Sequence, residues 1–131
     1  MEKVKKILVL GSSGMLGHIL VTTIKSKKNF QLSNIARKKT IHNDTLICDV
    51  TDFKKLEENI KKISPDYIIN CIGVLINESK TNPKNAILIN AYLPHFLESI
   101  SKKHNFQLIH ISTDCVFYGS EGSYHEASIK D

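Results

Sequence analysis

The sequence predicts an α/β domain built on a doubly wound parallel sheet with strand order 3-2-1-4-5. Three observations carry that prediction. Short apolar runs alternate along the chain with segments of helical spacing, which implies βαβ units with right-handed crossovers. The first run, "KKILVL" at residues 5–10, is continuously apolar after its lysines, as in a strand covered on both faces. A glycine-rich turn follows it directly and opens into a helix.

The elements follow in order. Residues 15–27 form a helix, with Leu16, Ile19, Leu20, Thr23 and Ile24 on its inward face. "QLSNIA" at 31–36 is the second strand and "TLICDV" at 45–50 the third. Residues 52–63 form an amphipathic helix on which Phe53, Leu56, Ile60 and Ile63 align, with Asp52 as its N-cap. Pro65 bars that helix from continuing into the fourth strand, 66–73. Asn82-Pro83 reads as an N-cap followed by Pro at the first helical position, opening one long helix to about Lys103. Pro94 kinks that helix and frees the carbonyl of Asn90. "FQLIHIS" at 106–112 is the fifth strand, read as buried.

Composition narrows the function classes. The chain has 131 residues, 41% hydrophobic and 24% charged, enough for one domain with a real core. Its net charge is +5 and its pI about 9.1, from lysine clusters such as "KVKK" and "KSKK". No aromatic residues interleave with those lysines, so the expectation is a solvated basic surface and no nucleic-acid partner. The apolar run at the N-terminus is only four residues long, "ILVL", too short for a secretory signal or a membrane span. Three cysteines, Cys48, Cys71 and Cys115, without metal-ligand spacing, suit a reducing cytoplasm. Six histidines show no ligand spacing either, and no metal is expected.

The strongest local signal is "GSSGMLG", residues Gly11, Ser12, Ser13, Gly14, Met15, Leu16 and Gly17. Gly11 permits the tight turn, Gly14 lets a pyrophosphate approach the backbone, and Gly17 lets the helix pack closely on the strand. The N–H groups of the helix N-terminus would then face the anion. Twenty residues past Gly17, at the end of the second strand, lies Arg37, followed by Lys38 and Lys39. An acid there would hold a ribose 2′-hydroxyl, whereas an arginine accommodates a 2′-phosphate, so the reading is NADP (NADPH), with NAD possible. Asp49 and Val50, ending the third strand, would lie beside the adenine, although Asp49 also suits a turn or an N-cap.

Taken with "CDVTD", "PDYIINCIG", Ile89-Asn90 and above all "ISTDCVFYGSEGSYHE", the chain resembles the extended short-chain dehydrogenase/reductases. It is most similar to their dTDP-4-dehydrorhamnose reductase branch. The resemblance implies a Rossmann fold and an oxidoreductase of polysaccharide precursor synthesis, reducing a nucleotide-linked 4-keto sugar with NADPH. It implies that Gly14, Met15 and Leu16 touch the pyrophosphate, and that Cys71, Ile72 and Gly73 pass the cofactor ribose. It implies that the main-chain carbonyl of Asn90 holds a relay water. By the same resemblance Thr113 is the catalytic hydroxyl that polarises the substrate carbonyl, and Asp114 helps hold the sugar. Cys115 stands where the family usually has Tyr, near the substrate, a departure that leaves the identity of the sugar open.

No tyrosine here has Lys four residues on, so the family's Tyr-x-x-x-Lys pair is absent from the 131 residues. The chain therefore reads as the N-terminal, cofactor-binding part of a longer reductase, without the last strands or the substrate domain, and inactive alone. Such a sheet would expose an apolar edge and favour association, including a homo-oligomer. Rival readings are an epimerase or dehydratase of the same superfamily, or a non-catalytic NADP-binding regulatory module.

Overall fold

The computed structural model describes residues 4–113, 115–120 and 122–130. Five parallel strands form one sheet: β1 (Lys5–Leu10), β2 (Phe30–Ala36), β3 (Leu46–Ile47), β4 (Tyr67–Asn70) and β5 (Gln107–His110). Their order is β3-β2-β1-β4-β5, as the alternating pattern predicts. β1 pairs with β2 from Lys5 opposite Phe30 to Leu10 opposite Ile35, and with β4 from Ile7 opposite Tyr67 to Leu10 opposite Asn70. The order reverses beside β1, so the carboxyl ends of β1 and β4 open a crevice at the place where this topology puts its ligands.

The two faces of the sheet are covered unequally. Leu8 and Leu10 of β1, Ile35 of β2 and Ile68 of β4 join the larger core with Leu56, Ile60, Leu93 and Leu97. Those last four come from α2 (Phe53–Ile63) and α5 (Leu93–His104). The opposite face carries α1 (Met15–Lys25) on a smaller cluster of Ile7, Val9 and Val21. Strand alternation assigns the faces: Ile7 and Val9 point to α1, and Leu8 and Leu10 to α2 and α5.

Capping matches the sequence signals. The Asp52 carboxylate accepts a hydrogen bond from the Lys55 N–H at 3.1 Å, and Asn82 does the same for Asn85 at 3.2 Å. α2 ends at Ser64 and α5 at Asn105, both in the left-handed region (φ 49° and 55°). Pro65 lies directly beyond the first of these stops.

Four expectations need correction. First, α1 buries Gly17 and Val21, whereas Leu16 and Ile19 are 42% and 55% exposed and Thr23 is exposed. The close approach at Gly17 rotates that edge of the helix onto the sheet and turns Leu16 and Ile19 outward. Second, β3 is only two residues long. After Ile47 the chain keeps one bond, Cys48 N–H to Ala36 carbonyl at 3.0 Å, and then enters the turn closed by Asp49. Third, the long helix from Asn82 is composite. It comprises α4 (Pro83–Ala86), a π-helical segment (Ile87–Tyr92) and α5, and a further short helix, α3 (Ile76–Thr81), precedes it. In an α-helix the Pro94 ring would meet the carbonyl of residue 90; the wider π turn just before it, with Leu93 N–H bonded to the Leu88 carbonyl, accommodates that ring without a break. Fourth, β5 is not buried: Gln107, Ile109 and His110 are exposed, because β5 is an edge strand.

Candidate functional site

A cleft of about 250 Å³ lies at the carboxyl ends of the strands. Gly11, Ser13 and Gly14 form one wall, Arg37 and Asp49–Thr51 another, and Cys71–Val74 a third. Ala36, Cys48, Glu78, Asn85 and Ile89 complete it.

The three glycines of the first loop serve different ends. Gly11 has φ 87°, and a Cβ there would meet Ile72 Cγ1 at 2.8 Å, so the turn demands glycine twice over. At Gly17 a Cβ would sit 2.1 Å from the Gly11 carbonyl oxygen and 2.7 Å from its carbon. Gly17 is therefore what lets α1 begin hard against the end of β1. Gly14 is different: its φ is −80°, and the nearest atom to a Cβ would be the Gly11 oxygen at 3.4 Å. The fold does not need glycine there, and the space it leaves opens into the cleft. Gly14 also supplies no capping side chain, so the first-turn N–H groups of α1 have none from that position. A Cβ at Gly73 is likewise uncrowded, with Asn90 Oδ1 at 3.8 Å. This uncrowded backbone, beside a helix N-terminus and an arginine, fits a phosphorylated nucleotide.

Electrostatics at the opposite wall are mixed. Asp49 accepts from the Thr51 N–H at 3.0 Å and from the Thr51 hydroxyl at 2.7 Å. Those bonds hold its carboxyl below the usual range, and the Arg37 charge adds to the effect. Asp49 is thus a turn-former that also faces the cleft. Burial pushes the Cys48 and Cys71 thiols up, which makes both poor nucleophiles.

The wall at Cys71–Val74 is held from both ends. Asn70 is fully buried; its Oδ1 accepts from the Ile72 N–H at 3.2 Å, and its Nδ2 lies 3.1 Å from His110 Nδ1. Asn90, on the π-helical segment, grips the far end: its Oδ1 accepts from the Val74 N–H at 2.8 Å and its Nδ2 donates to the Val74 carbonyl at 2.9 Å. The sequence points to the Asn90 main-chain carbonyl; the structure gives its side chain a separate, bracing role.

The predicted residues divide accordingly. Gly11, Ser13, Gly14, Arg37, Asp49, Val50, Cys71, Ile72 and Gly73 come together on the cleft. Ser12, Met15, Leu16, Gly17, Lys38, Asn90 and Thr113 are not among its lining residues. Ser12 is buried, with its hydroxyl 3.3 Å from the Ile35 carbonyl, and Met15 is 90% exposed. Lys38 is exposed on the turn after β2. Thr113 is exposed, and its hydroxyl accepts from the Cys115 N–H at 3.1 Å, an arrangement that serves the loop backbone. Asp114 lies outside the described residues. Sequence reasoning missed Glu78 and Asn85, which face the cleft and are joined at 3.0 Å. They sit on α3 and α4, helices too short and polar to show a period.

The fold is an α/β domain of the Rossmann type, with its cleft at the carboxyl ends of the strands. The chain belongs to the family described as "RmlD substrate binding domain", which matches residues 5–131. It is 29% identical over 124 residues to the dTDP-4-keto-6-deoxy-D-glucose reductase of Streptomyces niveus, covering 93% of this chain and 40% of that protein. Among solved structures it resembles a hypothetical dTDP-4-dehydrorhamnose reductase from Sulfolobus tokodaii, with a TM-score of 0.85 and 30% identity over 96% of this chain and 45% of that one. A dTDP-4-dehydrorhamnose reductase from Bacillus anthracis, solved in complex with NADP, shares the fold at a TM-score of 0.79 and 21% identity, over 93% of this chain and 41% of that one. The chain thus spans about 40% of the length of the curated relatives. Among the described residues no helix is long and apolar enough to cross a membrane, and no cluster of side chains could hold a metal ion.

Proposed function

We propose that this chain is the cofactor-binding part of a cytoplasmic, NADPH-dependent reductase of a nucleotide-linked 4-keto sugar. The observation that carries the reading is the cleft itself, where an uncrowded Gly14 backbone, the start of α1 and Arg37 converge. At about 250 Å³ the cleft is near the lower end of small-molecule sites, roughly 300 Å³. Gly11, Ser13 and Gly14 would hold the pyrophosphate, Asp49 and Val50 the adenine side, and Cys71–Gly73 the second ribose. Arg37, with Lys38 beside it, would take the 2′-phosphate, which favours NADP over NAD. The likeness to the Streptomyces niveus reductase supports the substrate class. The Bacillus anthracis relative, in complex with NADP, supports the cofactor.

When bound, the nicotinamide would supply hydride to the keto carbon. Thr113 would donate a hydrogen bond to the keto oxygen, and Asp114 would hold the sugar. The Cys115 N–H occupies only a lone pair of the Thr113 oxygen, so the hydroxyl proton stays free for a substrate. A second reading is a domain that binds NADP without turning over a sugar, since no tyrosine of the 131 residues has Lys four residues on.

The test is titration of the protein with NADPH and NADH, followed by assay with dTDP-4-keto-6-deoxyglucose. NADPH binding lost in Arg37→Ala and retained in Thr113→Ala supports the cofactor assignment. NADPH binding without turnover by these 131 residues fits both readings, and turnover by the longest natural product then separates them. No binding of either nucleotide sinks both.

A further inference from the structure

The turn that carries Arg37 is braced from beneath, and that bracing has a consequence for cofactor choice. Residues 37–45 connect β2 to β3 and contain Arg37, Lys38 and Lys39. Under the turn lies Asn34 of β2, which is 1% exposed. The Thr45 hydroxyl donates to Asn34 Oδ1 at 2.7 Å. Thr40 and Thr45 hydroxyls are 2.6 Å apart, and the His42 N–H donates to Thr40 Oγ1 at 3.0 Å. Each hydroxyl has one proton. One order that satisfies this runs from the His42 N–H to Thr40, Thr40 to Thr45, and Thr45 to Asn34, with the His42 carbonyl 2.8 Å from Thr45 Oγ1 and 3.4 Å from Thr40 Oγ1.

The outer side of the turn is tied to α1. Lys25 pairs with Asp44 at 2.5 Å, and the His18 and His42 rings stack with centroids 5.4 Å apart. The network thus crosses the turn from Thr40 to Thr45 and anchors it to the sheet at one buried amide. Asn34 Nδ2 is itself buried and without a hydrogen-bond partner among the described residues, and the bond of Thr45 to Oδ1 ties this amide to the turn.

We infer that Asn34, acting through Thr45 and Thr40, is a positioning residue that holds the Arg37–Lys39 turn at the rim of the cleft and so sets the preference for a 2′-phosphorylated nucleotide. This rests on the cofactor reading above. Holding the backbone of the turn that carries Arg37 before binding removes part of the ordering cost of gripping a phosphate. NADH has no 2′-phosphate, so its affinity should not depend on the turn.

The experiment compares NADPH and NADH dissociation constants for the full chain, Thr45→Val and Thr45→Ser, with amide hydrogen exchange across residues 37–45. Thr45→Val keeps the shape and removes the hydroxyl. It should weaken NADPH by about fivefold to tenfold, the order expected when a long side chain must be ordered during binding. NADH affinity should stay the same, exchange should quicken in the turn, and Thr45→Ser should restore both. Equal losses for the two nucleotides, or no loss, would overturn the inference. Should Thr45→Val fail to fold, Thr40→Val breaks the same chain one link further out and is read the same way. A wild-type protein that binds both nucleotides equally overturns this inference alone. One that binds neither overturns the cofactor reading, and this with it.

Discussion

Strand β1 lies at the centre of the sheet between β2 and β4, and its last four residues are buried. Strand β5 lies at the edge against β4, and three of its four residues are exposed. β1 is apolar after its two lysines, and β5 carries Leu108 and Ile109 between Gln107 and His110. Leu8 and Val9 are 0% exposed, whereas Ile109 and, just past the strand, Ile111 are 43% and 42% exposed. The faces explain this. Ile109 pairs with Ile69, which pairs with Val9, so all three side chains point to the face that carries α1. α1 packs mainly over β1 and β2. An apolar side chain is buried only if something covers it, and the coverage differs across a single sheet.

The largest test of that contrast is at Gly17, where α1 is seated on β1. Gly17→Ala places a methyl on the Gly11 carbonyl and should cost at least about 3 kcal/mol or abolish folding, beyond ordinary overpacking. Gly14→Ala in the same loop meets little and should melt within a few degrees of wild type, while losing NADPH affinity. Paired thermal melts decide between them, and equal destabilisation would break the distinction between a structural and a ligand-facing glycine.

Leu8→Ala in β1 should then cost roughly 2–5 kcal/mol in denaturant melts, as for a fully buried leucine. Ile109→Ala in β5 should cost under about 1 kcal/mol, because much of its side chain is already in water. Similar losses would mean that β5 is covered in solution, and sedimentation would then show whether by a second copy.

The bracing of the cleft wall is a smaller effect. Asn90→Leu removes both bonds to Val74 and should lower stability by about 1–2 kcal/mol, with faster amide exchange at Val74. Smaller again is the acid response. Asp44, Asp49 and Glu57 are each held below the usual carboxylate range: Asp44 by Lys25, Asp49 by Thr51, and Glu57 by His104 and Lys103. A lowered carboxyl contributes stability in full above its unfolded value and loses it as pH falls through the folded one. Stability should therefore decline below about pH 4, and Asp44→Asn should flatten part of that decline. An unchanged acid profile in Asp44→Asn would show that its pair with Lys25 contributes nothing.

Much of this molecule was legible in the chain because its signals are local. The strand order follows from alternation and crossover handedness, the caps at Asp52 and Asn82 from side-chain chemistry three residues deep, and the glycine turn from its spacing. The cleft's Gly11, Gly14, Arg37 and Asp49 were legible for the same reason: each ends a strand or opens a helix. Other features depend on contacts between distant residues. Which edge of α1 turns inward was decided by the Gly17–Gly11 approach, and the second duty of Asn90 by its meeting with Val74. The helix at Ile76–Thr81 carries no period, so only its packing beside the cleft reveals it. The exposure of β5 was decided by which strands and helices lie beside it, because side-chain apolarity is a property of the sequence and burial a property of the neighbours.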